Sequence, residues 1–311
     1  MKTSSALLLP LATNALASFG HGSGGHNFHT YPSIASCTHE PTFFSCENTT
    51  RVVNTCCSPT PGGLVLATQF WSTYTGLERK GQKLPKGSWT IHGLWPDNCD
   101  GSFDQYCDLS RQYDPAPSPT NFPNGTVIPV YKGPGVDTFI KHFGRGQLLD
   151  YTNGVVNKYW INQGALNEVF WAHEFSKHAT CTSTFDVACY GQDYKRNAEV
   201  VDFFDAAIRA FQHFPTYNLL AAGGIVPSNK TTYKLNDLEA VVKSQTGATP
   251  FFGCVNNGTV LSEVWYFNHV FGTEQFGSFK SVDSTTPSTC TRSGKIWYPE
   301  RTAGSEQDVE K

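Results

Sequence analysis

The sequence predicts an α+β fold, a single disulfide-rich domain with a central antiparallel sheet packed by helices. Segments typical of strands and of helices do not alternate regularly along the 311 residues, which disfavours a doubly wound fold. Ten cysteines follow the N-terminal segment, as in secreted domains held by disulfides. No linker or internal repeat divides the interior of the chain. One domain is therefore the simplest organisation.

The first seventeen residues have the composition of a secretory signal peptide. Lys2 precedes an apolar run from Ala6 to about Ala12, and the small-residue end Ala15-Leu16-Ala17 follows. We expect residues 1–17 to be removed and the protein to be secreted, with a vacuolar or lysosome-like destination as the alternative. No segment reaches the roughly eighteen apolar residues of a membrane span, so no membrane anchor is expected.

Residues 18–36 form a Gly-, Ser- and His-rich arm without apolar periodicity, which predicts a flexible segment. Its histidines, His21, His26 and His29, leave adventitious metal binding as an alternative. We expect the folded domain over residues 37–300. The charged segment 301–311 lacks aromatic residues and is expected to be a frayed tail.

The secondary structure follows from local patterns. Strands are predicted at 64–71, 88–95, 251–255 and 259–267, each an apolar run bounded by Gly, Asn or Pro. A helix is predicted at 193–214, where Val200, Val201, Phe204, Ala207, Ile208 and Phe211 recur at three-and-four spacing. Another is predicted at 235–244, with Asn236 and Asp237 as capping candidates.

The cysteines and sequons indicate the cellular compartment, and the net charge bears on the class of substrate. An even cysteine count predicts five disulfides, although the count alone leaves the pairing open. Four sequons, at Asn48, Asn124, Asn229 and Asn257, would accept glycans in a secretory compartment. The formal charge of −3 at pH 7 gives no general attraction for a polyanion. Protonation of the ten histidines in acid would reverse that sign.

The segment WAHEFSKHATC, residues 171–181, concentrates groups that transfer protons. It resembles a zinc-protease helix, but Lys177 occupies the position where the second zinc ligand would stand. At about 100° per residue, His173 and His178 would lie roughly 140° apart, which makes one shared ion awkward. Glu174 and His178 would be neighbours. A neighbouring carboxylate is expected to raise the pKa of His178 and to orient its ring for proton transfer.

The alternative interpretation of this helix is a solvated charged face. Its setting disfavours that interpretation, because Phe170, Trp171 and Phe175 flank the polar groups and Cys181 should fasten the end of the helix. Polar groups inside an aromatic, cross-linked frame are more typical of a site than of a free surface. We therefore interpret the segment as part of an active site.

The segment WTIHGLWPDNC, residues 89–99, supplies a further histidine. His92 lies in an apolar strand, where a lone histidine is usually a core residue with its hydrogen bonds satisfied. Two histidines on separate elements, however, are what metal-free cleavage of an RNA phosphodiester requires. One removes the proton of the ribose 2′-OH, the other protonates the departing 5′-oxygen, and a nearby cation stabilises the phosphorane.

Together these segments resemble the active-site segments of the ribonuclease T2 family, secreted acid ribonucleases, in its fungal branch. WTIHGLWP and HEFSKHATC carry the resemblance, with NTCCSP at 54–59, FDVACY at 185–190 and the ten cysteines. It runs from about Cys37 to Pro299. It implies a secreted endoribonuclease that cleaves single-stranded RNA but not DNA, and we expect a monomer. It also implies low base specificity, a 2′,3′-cyclic phosphate product, and neither metal nor other cofactor.

The resemblance also implies residue roles. His178 would be the general base and His92 the general acid, Glu174 and Lys177 would stabilise the pentacovalent phosphate, and His173 would bind it. The base 5′ to the cut would be held by Trp95, Asp97 and Gln69, and the second base by Asn162, Gln163 and Phe170. Phe103 would offer a further stacking ring to the substrate. The chain has Phe103 where Tyr is usual, Phe175 where Trp is usual and Ala179 where Gly is usual.

The cysteine pairing of the family would join Cys37 with Cys57, Cys46 with Cys99, Cys56 with Cys189, Cys107 with Cys181 and Cys254 with Cys290. Two rival functions remain open. A zinc hydrolase would use the clustered His and Glu residues but has Lys177 in the ligand position. A binding module that kept the fold and lost the chemistry would not require the five polar residues, namely His92, His173, Glu174, Lys177 and His178.

Overall fold

The computed structural model describes residues 37, 42–48, 54–146, 149, 155–192 and 194–309. The predicted signal peptide and the arm at 18–36 lie outside the described residues. The described residues all belong to one compact unit. Its strands are β1 (Leu64–Phe70), β2 (Leu84–Pro85), β3 (Thr90–Asp97), β4 (Thr232–Tyr233), β5 (Phe251–Val255), β6 (Val260–Phe271), β7 (Ser278–Val282), β8 (Ile296–Trp297) and β9 (Glu306–Gln307).

Seven of these strands form one sheet in which β1 lies between β3 and β6. Its ladders are antiparallel except where Val260 of β6 pairs in parallel with Trp297 of β8. The central antiparallel sheet predicted from the sequence is confirmed. At the end of β1, Phe70 pairs with Thr90 of β3 on one side and with Glu263 of β6 on the other. This register brings three strands together where the polar groups of the site converge.

Six helices accompany the strands in the described part of the chain: α1 (Val136–His142), α2 (Val155–Tyr159), α3 (Asn167–Lys177), α4 (Ala198–His213), α5 (Thr216–Ala222) and α6 (Leu235–Thr246). Helix α4 packs on β1 and β3. Its Val200, Phe203 and Phe204 are fully buried in the main core. Burial of one such side chain contributes about 1.5–3 kcal/mol.

The helix ends differ from the sequence-based prediction in two places. Helix α4 begins at Ala198 and not at 193, because Asn197 has a left-handed backbone with φ of 72° that no α-helix continues. In α6 the residue before the helix is Lys234, which offers no side-chain cap. Asn236 and Asp237 lie inside the first turn, so the prediction that they cap the helix is wrong.

The C-terminal segment is packed, and the prediction of a frayed tail is wrong for residues 301–309. The Arg301 guanidinium lies 4.2 Å from the ring centre of Trp71 and donates to the carbonyls of Ser72 and Ser88. Strand β9 then pairs in parallel with β2. A charged composition suggested solvent exposure, but an arginine can be buried when carbonyl oxygens and an aromatic face accept its charge.

Five disulfides cross-link the domain, and they are the pairs that the resemblance implied: Cys37–Cys57, Cys46–Cys99, Cys56–Cys189, Cys107–Cys181 and Cys254–Cys290. Cys107–Cys181 joins the segment after α3 to the loop after β3. In addition, the Tyr106 amide donates to the Lys177 carbonyl at 2.9 Å. The end of α3 is therefore held against the chain that follows β3. Among the described residues, no helix is both long and apolar enough to cross a membrane.

Candidate active site

Helix α3 presents one apolar and one polar face. Trp171 and Phe175 are buried in the core, and this packing fixes the orientation of the helix. His173 and Lys177 are partly buried on the polar side, whereas the Glu174 side chain is 1% exposed. A solvated charged face would leave a glutamate in water, so that alternative is wrong for α3.

His178 ends the helix and turns its ring back toward Glu174. As the C-cap, it keeps a backbone in the right-handed helical region, with φ −106° and ψ −57°, and its amide donates to the Glu174 carbonyl at 3.2 Å. The ring lies with Nε2 4.0 Å from Glu174 Oε2. Atoms of His173, Glu174 and His178 consequently come within 4.8 Å of one another. The expectation that sharing one ion between His173 and His178 is awkward is therefore wrong for this geometry.

Strand β3 brings His92 to the other side of Glu174. His92 Nε2 lies 3.6 Å from Glu174 Oε1, and the ring is 16% exposed. Glu174 therefore lies between His92 on the sheet and His178 on the helix, within 4.0 Å of both imidazoles. The two sequence segments singled out for their histidines thus form one cluster.

Trp95, two residues before the end of β3, contacts all three members of this cluster. Its Nε1–H donates to Glu174 Oε2 at 2.8 Å. Its ring is nearly parallel to the His178 ring at 4.8 Å and meets the His92 ring edge-on at 4.6 Å. The face of Trp95 toward His178 is therefore covered. If a base stacks on Trp95 as predicted, it must therefore use the opposite face of the ring.

Burial dominates the electrostatics of the cluster. It raises the pKa of Glu174, against the opposing effects of His92, His173, the Trp95 N–H and Lys177. Burial also lowers the pKa of His178 well below its ordinary value, and the positive charges of Lys177, His173 and His92 lower it further. The sequence-based expectation that Glu174 raises the pKa of His178 is wrong, because desolvation of the imidazolium and the neighbouring positive charges both lower that pKa.

His173 is oriented by a buried carboxylate that no local sequence pattern indicates. Its Nδ1 lies 2.8 Å from Asp114 Oδ2, and the Asp114 side chain is fully buried. The Tyr106 hydroxyl donates to the same oxygen at 2.9 Å, and the Ala116 amide donates to Asp114 Oδ1. With Nδ1 engaged, Nε2 of His173 is the nitrogen left for a ligand. The contact between His173 and Asp114 spans 59 residues of chain, so no local pattern reveals it.

His92 has two partners that sequence reasoning also missed. Its Nδ1 lies 2.6 Å from Glu263 Oε1, on β6. Phe70 of β1 stacks on the ring with centroids 3.7 Å apart and planes at 20°. Phe170, predicted at the second base site, lies 5.7 Å from the same ring. Strand register is the signal that could have found these partners, since Phe70 and Glu263 are paired residues.

Two of the predicted base-binding residues lie beside each other near the end of β3. Asp97 forms an isolated antiparallel bridge with Phe103, whose side chain is 63% exposed. Burial raises the pKa of Asp97 to about 7. An exposed aromatic ring beside a carboxyl group can contact a base by stacking and by hydrogen bonding.

The remaining predicted base-binding residues separate into two groups. Asn162 and Gln163 are on the surface loop before α3. Asn162 is fixed there because its backbone N–H donates to Asn167 Oδ1 at 2.9 Å. Gln69, by contrast, is 1% exposed, donates to the Phe214 carbonyl and accepts from the Thr216 hydroxyl. The prediction that Gln69 binds a base is wrong for this geometry, because its amide is buried and already paired.

Known proteins are similar to this chain in both sequence and fold. The model of the Ribonuclease T2 family matches residues 62–290. Ribonuclease T2 of Aspergillus oryzae is 37% identical over 263 residues, covering 84% of this chain and 83% of that protein. Ribonuclease Trv of Hypocrea rufa is 40% identical over 247 residues, covering 79% and 91%. The crystal structure of Actibind, a T2 ribonuclease, matches with a TM-score of 0.68 at 32% identity and covers 84% of this chain and 96% of Actibind. The chain therefore belongs to the ribonuclease T2 family and is an endoribonuclease.

Proposed function

We propose that this endoribonuclease cleaves single-stranded RNA, with low base specificity, by acid–base catalysis between His178 and His92 and without a metal ion. The observation that carries the proposal is the position of Glu174, within 4.0 Å of both imidazoles in a buried cluster. With one imidazole on each side of the carboxyl group, one can accept the proton that the 2′-oxygen loses and the other can donate the proton that the 5′-oxygen gains.

In the first step His178 Nε2 removes the proton of the 2′-OH, and the 2′-oxygen attacks the phosphorus. The P–O5′ bond breaks, and His92 Nε2 gives its proton to the departing 5′-oxygen. The products are a 2′,3′-cyclic phosphate and a free 5′-OH. In the second step water adds to the cyclic phosphate with the roles exchanged, so that both histidines return to their initial protonation states.

The other polar groups stabilise the phosphorane. Lys177 supplies a positive charge, and His173, held by Asp114 at Nδ1, directs Nε2 toward the phosphate. Burial raises the pKa of Glu174, which favours a protonated carboxyl that can donate to a phosphate oxygen instead of repelling it.

The lowered pKa of His178 suits activity on the acid side of neutrality. A general base must be neutral to accept a proton, and a low pKa keeps this imidazole neutral in moderately acidic solution. Acid also protonates other histidines. The added positive charge offsets the formal charge of −3 and reduces the electrostatic repulsion between the protein and the RNA polyanion. We therefore expect a bell-shaped pH profile with its maximum below pH 7.

The decisive experiment compares chelator, substrate and products. RNA cleavage should continue in EDTA and yield 2′,3′-cyclic ends, and DNA should remain intact because it lacks the 2′-OH nucleophile. His92→Phe and His178→Phe should each lose about 10²- to 10⁴-fold in activity. Lys177→Ala should lose activity with its fold retained. The matched control is His142→Phe, which changes an exposed histidine of α1.

The close approach of His173, Glu174 and His178 gives a metal-dependent hydrolase a specific structural basis. Two imidazoles and a carboxylate are a common zinc ligand set. That function predicts that EDTA abolishes cleavage, that zinc restores it, and that no cyclic phosphate forms. Either set of products decides between the two mechanisms.

We also propose that the protein is a secreted, N-glycosylated monomer. The N-terminal sequence pattern supports secretion, and the asparagines of all four sequons are exposed, namely Asn48, Asn124, Asn229 and Asn257. Enzymatic deglycosylation of the protein from a culture medium, followed by mass measurement, tests secretion and glycan number together. Light scattering of the same sample tests the monomer.

A further inference from the structure

Beside the active site lies a loop, residues 74–83, that is rich in positive charge. Arg79 and Lys80 are exposed and Lys83 is partly exposed. Within the described part of the chain, none of the three forms an ion pair, whereas nearby Lys86 pairs with Asp308 at 3.2 Å. Three unpaired cations in one short loop stand out in a chain with formal charge −3.

This loop is joined to the loop that precedes α3. The Gly164 amide donates to the Thr75 carbonyl at 2.7 Å. The Gln82 side chain, which is buried, donates to the carbonyls of Asn162 and Ala165, both at 2.9 Å. Gln163 Nε2 also donates to the Tyr74 carbonyl. Four hydrogen bonds therefore hold the cationic loop against the residues predicted to contact the second base.

The joined loops are in turn connected to the catalytic cluster. Trp160 Nε1 donates to the backbone carbonyl of His92 at 2.9 Å. Two residues later, the Asn162 amide donates to Asn167 at the first turn of α3. Hydrogen bonds therefore connect His92 to residues 160–165, and residues 160–165 to the loop at 74–83.

The loop has a defined conformation that presents its cations to solvent. Glu78 Oε1 accepts from the amides of Thr75 and Gly76, so the one carboxylate of the loop is engaged with the backbone. Gly81 closes the short helical turn at Glu78–Lys80 in a left-handed conformation with φ of 87°. Tyr74, 52% exposed, adds an aromatic ring beside Gln163.

We propose that the 74–83 loop is an additional binding site for the backbone of single-stranded RNA, contacting phosphates beyond the second base. The proposal rests on the proposed RNA cleavage and extends it. Arg79, Lys80 and Lys83 contact the phosphates, and Tyr74 offers a ring on which a base stacks without sequence preference. Cations along a groove combined with aromatic side chains are the chemistry by which single strands are bound.

The experiment uses the triple variant Arg79→Gln, Lys80→Gln, Lys83→Gln. Its substrates are a dinucleoside monophosphate and two 12-mers of DNA that contain one ribonucleotide, near the 5′ end or near the 3′ end. The first 12-mer extends mainly 3′ of the cut and the second mainly 5′ of it. The control variant replaces Lys230, Lys243 and Lys280 by Gln, three exposed lysines on other elements.

The triple variant should cleave the dinucleoside normally. For the 12-mer extended on the 3′ side, its KM should rise on the order of tenfold, and the slope of log affinity against log salt should fall by about 2 for three lost phosphate contacts. The other 12-mer and the control variant should show little change. An unchanged KM on the 3′-extended substrate, an equal effect in the control, or a matching loss on the dinucleoside would overturn the proposal.

Binding of an all-deoxy 12-mer, measured by fluorescence anisotropy, separates this proposal from the proposed function. It does not depend on cleavage, because the oligomer contains no 2′-OH. Weaker binding by the triple variant supports the loop even if no RNA is cleaved. Equal binding by wild type, triple variant and control contradicts the loop even if RNA cleavage proceeds as proposed.

Discussion

The side chain of Glu174 lies directly over Gly93, so that a Cβ atom at position 93 would overlap Glu174 Oε2 and lie 2.7 Å from Trp95 Nε1. The glycine is what allows the carboxyl group to enter between the two histidines. The helix supplies the carboxylate, and the strand supplies the gap that receives it.

Gly93→Ala should therefore displace Glu174 from the imidazoles and lower kcat by about 10²-fold, the order expected for a misplacement of about 1 Å. RNA cleavage by the purified variant, with circular dichroism to check its fold, measures this. Gly146→Ala is the control, because the nearest atom that its added Cβ would meet in the described part of the chain is 3.7 Å away, in Lys141. Wild-type kcat in Gly93→Ala would show that the Glu174 position is not required.

The sequence predicted the residues of the cluster that lie in short motifs, but not the residues that orient them. Glu174 and His178 are four positions apart in one polar motif, and His92 interrupts an apolar run that predicts a strand. Asp114 and Glu263 are single carboxylates in unremarkable surroundings, and they reach their histidines only through the fold. Their contacts cross 59 and 171 residues of sequence.

The wrong predictions have a related physical cause. Gln69 was expected to bind a base because of the family resemblance, and Arg301 was expected to lie in a solvated tail because of the charged composition of that segment. Each is instead buried with backbone carbonyls as hydrogen-bond partners. Whether a carbonyl is available depends on how distant segments pack, which local sequence does not encode. Strands β1, β3, β5 and β6, by contrast, were predicted, because their apolar runs are local, whereas β2, β4, β7, β8 and β9 were not.

Glu263 should act as a positioning residue for His92. Its carboxylate holds Nδ1 at 2.6 Å, which fixes the ring and directs Nε2 toward Glu174 and the substrate. Glu263→Ala should lower kcat by about 10-fold or more with little change in KM, because the hydrogen bond that sets the ring orientation is lost. Glu263→Gln keeps an acceptor oxygen and should lose less.

Steady-state kinetics on a dinucleoside substrate and ¹⁵N NMR of the His92 ring together test this role. The NMR spectrum should show a change of tautomer or of ring hydrogen bonding in Glu263→Ala. Glu239→Gln, on α6, is the matched control. A rise in KM with unchanged kcat and an unchanged His92 spectrum would contradict a positioning role.

Asp97 should make base preference depend on pH. Burial raises its pKa to about 7, so in acid the carboxyl both donates and accepts, and above pH 7 it only accepts. A group that donates and accepts complements the ring nitrogen and exocyclic amine of adenine. Wild-type preference for adenine on the 5′ side should therefore decrease as pH rises through about 7.

Ratios of kcat/KM for dinucleosides at pH 5 and pH 8 measure that preference. Asp97→Asn carries a donor and an acceptor at both pH values and should keep the preference without pH dependence. Asp97→Ala should lose it at both. A wild-type ratio that is the same at pH 5 and pH 8 would remove ionisation of Asp97 from base recognition.

Glu274 should make the fold more stable in acid than in weak alkali. It lies in the turn between β6 and β7, fully buried, and burial raises its pKa from 4.5 to about 8 against smaller opposing effects of Thr182 and Arg209. Between these values the folded protein retains a proton that the unfolded chain has released. The free energy of unfolding therefore falls as pH rises from about 4.5 to about 8. Asp202, whose pKa burial raises to about 7, contributes in the same direction.

Glu274→Gln removes the ionisable group and keeps its shape, so the pH-dependent loss from this position should disappear. Since each pKa unit corresponds to about 1.4 kcal/mol, the variant should gain on the order of a few kcal/mol relative to wild type between pH 4 and pH 8. The difference in Tm between variant and wild type, measured with the disulfides intact, should therefore shift in favour of the variant by about 5 °C or more. Glu168→Gln, at a partly exposed position of α3, is the control and should show no such shift. A Glu274→Gln difference that is the same at pH 4 and pH 8 would mean that the carboxyl does not titrate differently in the folded and unfolded states.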